Sequence, residues 1–313
     1  MSLDRAIELA RAANRRAHPK PTVGAVVVRD GEVVGEGVTE PGETARHGEI
    51  VALAEAGERA RGATVFVTME PCLHHGATPP CTDALLAAGV ARVVAGSLDP
   101  NPVAGGGLER LRHAGVEVEL DDRFEARQLE QGWRRRAAEG KPFVTYKVAV
   151  SLDGRVTVPG RRWLSGEESR RLVHELRAAS DAVAVGMGTV RADAPRLDAR
   201  DVPVVRQPRR LAFGRGPLPT GCELELRTGS LDEELRALAG DGVQTLLLEG
   251  GPTLATSFLA AGLVDRLLLF VAPVVSGEGP TFLGPLAEPV VPVRTESRRI
   301  GDDVLVDAYL HEP

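Results

Sequence analysis

The stretch that decides the fold of the first half of the chain is Glu70-Pro-Cys-Leu-His-His-Gly-Ala-Thr-Pro-Pro-Cys81, preceded by His47-Gly-Glu49. His47 begins a predicted helix, Cys72 follows a predicted strand, and Cys81 stands directly after two prolines that open another predicted helix. One histidine and two thiolates are the ligands of an open zinc site, whose fourth position is left for water. Helix starts favour the thiolate form of cysteine, so the pattern predicts a metal centre.

The residues beside the predicted ligands indicate what such a centre would do. Zinc lowers the pKa of a bound water towards neutrality and so provides a nucleophile. Glu49, two residues from the ligand histidine, can carry the proton without binding the metal. His-x-Glu with Pro-Cys-x-x-Cys is typical of zinc deaminases, although eight residues separate the cysteines here. His74 and His75 are alternative ligands or pocket residues, and a structural zinc knuckle, which usually has four protein ligands, is the non-catalytic alternative.

Strands and helices alternate on either side of this stretch. Asp30-Gly31 stands between two β-rich runs and predicts a hairpin. Alternating elements indicate a central sheet with helices packed on it. In this half, helices are predicted over residues 3–17 and 47–60, from about 83, and over 108–113; the remaining strands are predicted at 64–68, 91–96 and 116–120.

A second α/β unit is predicted after Gly140. Residues 121–140 form a charged helical pattern, and Phe143-Val-Thr-Tyr-Lys-Val-Ala-Val150 begins a new strand, so we place domains at 1–140 and 141–313. The pattern is poor between Asp198 and Pro219. The other elements predicted in this half are helices at 166–179 and about 253–261, and strands at 182–186, 245–248 and 267–271.

Length and composition exclude several classes of protein. At about 150 residues per domain, 313 residues correspond to two domains. The 43% hydrophobic and 26% charged residues are typical of globular chains, and the net charge of −6 argues against polyanion binding. Three cysteines cannot build a disulfide framework, which favours a reducing cytoplasm. We expect no membrane span and no secretory signal.

The long spacing between the cysteines resembles the bacterial RibD/RibG family, the bifunctional riboflavin-biosynthesis deaminase–reductases. Asp99-Pro-Asn-Pro102 and the hairpin beginning at Val23 fit the same family. The resemblance implies a cytidine-deaminase-like α/β/α domain that acts on 2,5-diamino-6-ribosylamino-4(3H)-pyrimidinone 5′-phosphate. In that domain it implies a Zn²⁺ site formed by three ligands, a proton shuttle at Glu49 and a substrate contact at Asn101; the ligands are His47, Cys72 and Cys81.

Two glycine-containing motifs in the second half are candidate phosphate sites. Glu249-Gly-Gly-Pro-Thr253 lies at a predicted strand end just before a helix, where backbone N–H groups can bind phosphate. Gly186-Met-Gly-Thr189 lacks the full dinucleotide fingerprint. Each motif alone is equally compatible with an ordinary strand-to-helix turn.

Taken in order, the motifs of the second half resemble the RibD reductase domain, a dihydrofolate-reductase-like α/β domain, here shorter than is usual. The resemblance implies that NADPH reduces the ribosyl group to the ribityl chain of 5-amino-6-(5-phosphoribosylamino)uracil. Lys147 is predicted near the reacting centre, with a salt-bridged strand lysine as the alternative. The implied NADPH contacts are Trp163, Thr189, Asp193, Gly251, Pro252, Thr253, Leu254, Ala255, Thr256 and Ser257. The implied substrate contacts are Lys147, Arg177, Leu197, Arg200 and Glu249.

Several positions depart from the family pattern. Gly48 replaces alanine between the ligand and the shuttle, Lys20 replaces asparagine, and Ala77 replaces a basic residue. In the second half, Arg161 replaces serine, and Gly214-Arg215 replaces an Asp-Ser pair. These changes leave open a second hypothesis, a divergent paralogue with an active deaminase and a degenerate or repurposed reductase half acting on another aminopyrimidine.

Two further hypotheses concern other classes of protein. A nucleic-acid deaminase would share the zinc chemistry, but the net charge opposes it, and we interpret Arg134-Arg-Arg136 as a solvated helix face. The other hypothesis is a scaffold protein that uses zinc only for stability. Glu49 beside a zinc site with an open position argues against it, because a purely structural site needs no proton carrier. The expected partners are a small pyrimidine ribosylamine phosphate and further copies of the chain as a dimer or tetramer, with no nucleic acid and no membrane.

Overall fold

The computed structural model describes residues 2–13, 17–42, 45–76 and 78–313, so residues 14–16 of the first predicted helix and the substituted position Ala77 lie outside the described residues. The chain divides into two compact units, Met1–Glu139 with Pro313, and Gly140–Glu312. Among the described helices, none combines the length and the apolar composition that crossing a membrane requires.

The first unit contains a five-stranded sheet in the order β2-β1-β3-β4-β5. Strand β1 is antiparallel to both of its neighbours, whereas β3, β4 and β5 are parallel. The helices are α1 Ser2–Ala13, α2 Gly48–Ala56, α3 Cys81–Ala88, α4 Gly107–His113, α5 Phe124–Leu129 and α6 Gln131–Glu139, and a 3₁₀ turn spans Gly57–Ala60. The strands are β1 Gly24–Arg29, β2 Glu32–Val38, β3 Thr64–Val67, β4 Arg92–Ala95 and β5 Glu117–Leu120.

Strand β1 shows how the sequence builds three layers. Val26 packs with Ile7 of α1 on one face of the sheet, while Val27 belongs to a cluster that includes Leu85 of α3 on the other face. Side chains alternate across a strand, so the apolar run of β1 serves both faces. Asp30-Gly31 turns with both φ angles positive, as a two-residue hairpin requires. The predicted α/β/α arrangement is therefore confirmed.

The second unit contains an eight-stranded sheet in the order β12-β13-β11-β6-β10-β7-β8-β9. Strands β11, β6, β10, β7, β8 and β9 run parallel, and β12 and β13 are antiparallel at one edge. The helices are α7 Glu167–Ala179, α8 Met187–Asp193, α9 Leu231–Gly240 and α10 Pro252–Ala260. The strands are β6 Phe143–Val150, β7 Ala182–Gly186, β8 Arg209–Phe213, β9 Glu225–Arg227, β10 Thr245–Leu248, β11 Arg266–Val271, β12 Arg294–Ile300 and β13 Asp303–Tyr309.

Several elements differ from the sequence predictions, among them α9, β9, β12 and β13, which were not predicted, and contacts explain two further regions. The charged helix predicted over 121–140 is two helices, because the chain turns at Glu130, whose buried carboxylate accepts the backbone N–H of Thr22 at 2.9 Å. Strand β8 lies where the pattern is poor. Only its last three residues are fully buried, and its two leading arginines form ion pairs at its start, so the apolar signal is short.

Candidate functional site

The three predicted metal ligands meet in the first unit. His47 immediately precedes α2, Cys72 follows β3, and Cys81 is the first residue of α3. Their ligand atoms all lie within 4.8 Å of one another. His47 Nδ1 is 3.1 Å from Cys81 Sγ and 3.6 Å from Cys72 Sγ, and the backbone N–H of Cys81 donates to Cys72 Sγ at 3.3 Å.

The ionisation of this cluster fits a cation. Hydrogen bonds, first from Cys81 and then from His47, lower the pKa of Cys72 to about 4, although burial opposes the shift. The pKa of Cys81 is raised by the same sulfur–sulfur hydrogen bond and by burial. The two sulfurs share a hydrogen bond, and a metal ion bound here would displace the proton between them, since cysteine ligates metals as the thiolate. One imidazole and two thiolates form a donor set suited to Zn²⁺.

Glu49 lies beside the ligands in the first turn of α2. Its side chain is buried, and burial raises the pKa of its carboxyl group. Its Oε2 has no hydrogen-bond partner among the described residues. A buried, unpartnered oxygen next to a metal site can accept and return a proton, as the sequence predicts for this residue.

These residues face a cavity of about 310 Å³. Asn101 lines it and is held by backbone contacts: its N–H donates to Asp99 Oδ1 at 2.8 Å, and its own Oδ1 accepts the N–H of Val103 at 3.1 Å. His74 lines the cavity, whereas His75 lies 4.0 Å from Asp83, and neither belongs to the ligand cluster. Other lining residues include Lys20, Thr39, Met69, Glu70, Trp133 and Arg136.

Gly48 has a packing role that sequence reasoning missed. A Cβ atom at this position would lie 2.3 Å from the carbonyl oxygen of Val23, which is too close for any real contact. Across the same junction, a Cβ at Gly37 would lie 2.2 Å from the Gly48 oxygen. The start of α2 therefore sits directly against β1 and β2, which fixes the positions of His47 and Glu49.

The arginine run on α6 corrects an interpretation made from sequence. Arg134 is partly buried and donates to the carbonyl oxygen of Leu98 at 2.6 Å. Arg135 pairs with Glu139 one turn along the helix, and Arg136 lines the cavity. The interpretation of this run as a solvated helix face is wrong, because all three arginines are half-buried, and successive helical residues point about 100° apart, so that each meets a different environment.

The second unit holds a larger cavity of about 1230 Å³, bordered by residues at or near the carboxyl ends of β7 and β10 and by Lys147 of β6. Ligands bind at this edge of open parallel sheets. Most of the predicted cofactor contacts line it: Trp163, Thr189, Asp193, Gly251, Pro252, Thr253 and Leu254. Three predicted contacts on α10 do not: Ala255 is in the core, Thr256 donates to Pro252 O at 2.7 Å, and Ser257 donates to Thr253 O at 3.0 Å.

A network of three largely buried charged side chains lines this cavity. Arg177 contacts both carboxylate oxygens of Glu249, at 2.6 and 2.9 Å, and Lys147 Nζ lies 3.8 Å from Glu249 Oε2. Burial alone would raise the pKa of Glu249, but the charges of Lys147 and Arg177 outweigh it and lower that pKa. Burial lowers the pKa of Lys147 against the attraction of Glu249. Lys147 is thus both salt-bridged and exposed to the cavity.

The remaining predicted substrate residues divide into two groups. Arg200 lines the cavity, with its Nη1 2.8 Å from Asp198 Oδ1. Leu197 has a positive φ and packs in a hydrophobic cluster, outside the lining. Sequence reasoning missed two arginines on the lining, Arg162 and Arg170, whose guanidinium carbons lie 5.2 and 5.7 Å from the centre of the Trp163 ring. Because arginine is so common in this chain, the sequence does not distinguish an arginine that lines a cavity from one on the surface.

Fold and sites together define the class: a zinc-dependent deaminase domain followed by an NADPH-dependent reductase domain. The family model described as the cytidine and deoxycytidylate deaminase zinc-binding region matches residues 2–97. The model described as the RibD C-terminal domain matches residues 142–306.

Relatives identify the family. The riboflavin biosynthesis protein RibD of Aquifex aeolicus is 40% identical over 88% of this chain and 86% of its own length, and that of Mycobacterium tuberculosis is 43% identical over 87% and 84%. A solved structure of Acinetobacter baumannii RibD is 33% identical with a TM-score of 0.84, covering 98% of this chain and 97% of its own. The chain belongs to the RibD family of bifunctional deaminase–reductases of riboflavin biosynthesis. Because the matches run through both halves, the hypothesis of a degenerate paralogue is not favoured.

Proposed function

We propose that the first unit hydrolytically deaminates 2,5-diamino-6-ribosylamino-4(3H)-pyrimidinone 5′-phosphate, and that the second reduces the ribosyl group of the product, 5-amino-6-(5-phosphoribosylamino)uracil, to a ribityl chain with NADPH. The observation that carries the proposal is the joint presence of the ligand cluster with Glu49 and the buried Lys147–Glu249–Arg177 network. A Thermotoga maritima structure described as the corresponding deaminase/reductase supports it, with 32% identity and a TM-score of 0.81 over 98% of this chain and 97% of its own.

In the deaminase unit, His47, Cys72 and Cys81 would hold Zn²⁺, which supplies an activated water. Glu49, buried and with one unpartnered carboxylate oxygen among the described residues, would accept a proton from the attacking water and return it to the amino nitrogen, so that the C–N bond breaks and ammonia leaves as the C–O bond forms. The buried position of Glu49 keeps bulk water from competing for this proton. Asn101, fixed by Asp99 and Val103, presents its amide nitrogen to the pyrimidine as a hydrogen-bond donor.

In the reductase unit, NADPH supplies the hydride and the protein orients the reactants. Trp163, Thr189, Asp193 and residues 251–254 would bind the cofactor, with the backbone at the start of α10 directed at phosphate. Arg177 and Glu249 hold Lys147 at the cavity wall, where it would contact the ribosyl group, and Arg200 would bind the substrate phosphate. Four further contacts stay predictions, because the residues do not line the cavity: Leu197, Ala255, Thr256 and Ser257.

Separate assays of the two units test this proposal. The zinc-loaded protein should release ammonia from the diaminopyrimidinone without NADPH, and should oxidise NADPH only with the deaminated intermediate. Ammonia release without any NADPH oxidation would contradict the reductase assignment. Oxidation without ammonia release would contradict the deaminase assignment.

We further propose a homo-oligomer in the cytoplasm. Residues 295–299 of β12 are exposed, and among the described residues the outer edge of this strand has no neighbouring strand. Val290, Val291 and Val293 are also exposed next to it. Unpaired edges promote association, so light scattering during size-exclusion chromatography should show more than one chain. The free cysteines Cys72, Cys81 and Cys222 suit a reducing compartment.

A further inference from the structure

The deaminase cavity has a cationic part that the metal ligands and Glu49 do not explain. Among the described residues that line it, the lysine and arginine side chains are those of Lys20 and Arg136. Lys20 comes from the loop before β1, and Arg136 comes from α6. Two cations from separate elements thus border one cavity beside the ligand cluster.

Helix α6 aims Arg136 at the cavity. Trp133 and Arg136 are three residues apart, so they share one face of the helix, and both line the cavity. The neighbouring arginines do not line the cavity: Arg134 donates to the Leu98 carbonyl, and Arg135 pairs with Glu139. The helix face that carries Trp133 and Arg136 therefore forms part of the cavity wall.

The acidic side chains Glu70 and Asp99 of the cavity accept backbone N–H groups of a neighbouring loop. Glu70 accepts the backbone N–H of Leu108 at 3.0 Å through Oε1 and that of Asp99 at 3.2 Å through Oε2. Asp99 in turn accepts the N–H of Asn101. These carboxylates hold the loop that presents Asn101. The sequence from Leu73 to Pro80, between the two cysteine ligands, contains no lysine or arginine.

We propose that Arg136, assisted by Lys20, binds the 5′-phosphate of the deaminase substrate and makes this unit selective for phosphorylated ribosylamines. The inference rests on the proposed function, whose substrate carries one phosphate dianion. Guanidinium binds phosphate through paired, charge-assisted hydrogen bonds, and an ammonium group adds a second point charge. Trp133, on the same helix face, lies where it can pack against the ribose.

The test compares two substrates and two variants. With the phosphorylated diaminopyrimidinone ribosylamine, Arg136→Gln should lower kcat/KM for ammonia release about 10- to 100-fold, the size of a lost charged hydrogen bond. With the same compound lacking the phosphate, wild type and variant should agree within about 2-fold. Arg136→Lys should recover part of the loss. Arg135→Gln, on the same helix but paired with Glu139, is the matched control and should behave like wild type.

A binding measurement keeps the inference separate from the proposed function. The chain has two tryptophans, one in each unit, so a Trp163→Phe background leaves Trp133 as the fluorescent reporter. Ribose 5-phosphate should change its fluorescence, and Arg136→Gln should raise the Kd about 10- to 100-fold while Arg135→Gln does not. An unchanged Kd, or equal losses with both substrates, would overturn the role of Arg136. If wild type binds ribose 5-phosphate through Arg136 but releases no ammonia, the proposed function fails and the phosphate site stands.

Discussion

The two units differ in how many residues form the site and in how widely those residues are spread. The deaminase centre brings together His47 and Cys81, from two helix starts, and Cys72, from the loop after β3, within 4.8 Å beside a cavity of about 310 Å³. The reductase cavity is about 1230 Å³, and its lining residues run from Lys147 to Leu254. A metal centre depends on a few atoms of fixed identity, whereas a cofactor cleft distributes its contacts over many replaceable side chains.

This difference affects how each site tolerates change. The ligand cluster has little redundancy, because each of the three ligands is needed by the ion. The reductase site is held by a buried network in which Arg177 and Lys147 share one carboxylate, Glu249. Removing one partner there leaves an uncompensated buried charge, but single contacts at the rim can change with smaller effect.

The largest effect should come from removing a ligand. Cys72→Ser, or treatment with a strong zinc chelator, should abolish ammonia release and leave NADPH-dependent reduction of the deaminated intermediate unchanged. Elemental analysis should show loss of about one zinc per chain. Cys222→Ser is the control, since Cys222 lies outside the cluster. Full zinc retention by Cys72→Ser would refute the ligand assignment.

Removing the proton carrier should have the next largest effect. Glu49→Gln keeps the shape of the side chain and the zinc but cannot accept a proton, so kcat for deamination should fall about 10²- to 10⁴-fold. Ammonia release measured alongside zinc content checks this prediction. Substantial turnover by a zinc-loaded Glu49→Gln protein would exclude Glu49 from the mechanism.

A moderate effect is expected at the rim of the reductase cavity. Arg200→Ala should raise the KM for the deaminated intermediate about 10-fold, because a charged contact is lost, and should weaken NADPH binding less. Arg196→Ala is a matched control: Arg196 pairs with the same Asp198 but does not line the cavity. Equal substrate kinetics in both variants would contradict the placement of Arg200.

The smallest effect should be one of stability. Gly48→Ala introduces a Cβ that meets the Val23 carbonyl, and we expect a loss of about 1–3 kcal/mol in the free energy of unfolding of the first unit. Gly240→Ala, where no atom of the described residues lies within 4 Å of an added Cβ, should be neutral or slightly stabilising. Denaturant unfolding distinguishes them, and similar stabilities would show that α2 can shift away from β1.

Short-range signals made much of the fold and the metal centre predictable. Asp30-Gly31 specifies its hairpin locally, and the boundaries of β6 and β7 follow apolar runs that are buried in the sheet. The ligand cluster was also predictable, because histidine and cysteine at helix starts combine rare residues with a specific chemistry. The hairpin and the strands depend on residues close together in the chain, whereas the ligands, with His47 lying 25 and 34 residues before the two cysteines, are recognised by residue type.

Several of the features that sequence reasoning missed depend on contacts between distant residues. The break at Glu130 exists because its carboxylate reaches Thr22, and β8 is a strand because neighbours on both sides supply its partners. Arg136 was missed because adjacent arginines look alike in sequence and differ only in what they face. Helix α9 was a true oversight, since its Ser230–Glu233 capping box is visible in the sequence.

The most direct test of the two-unit account is mass spectrometry of the products formed from the diaminopyrimidinone ribosylamine phosphate by the zinc-loaded protein, with and without NADPH. The account predicts that the deaminated ribosylaminouracil accumulates alone without NADPH, and that its ribityl form appears only when NADPH is added. A ribityl product that still carries the second amino group, or the absence of both products with zinc bound, would contradict it.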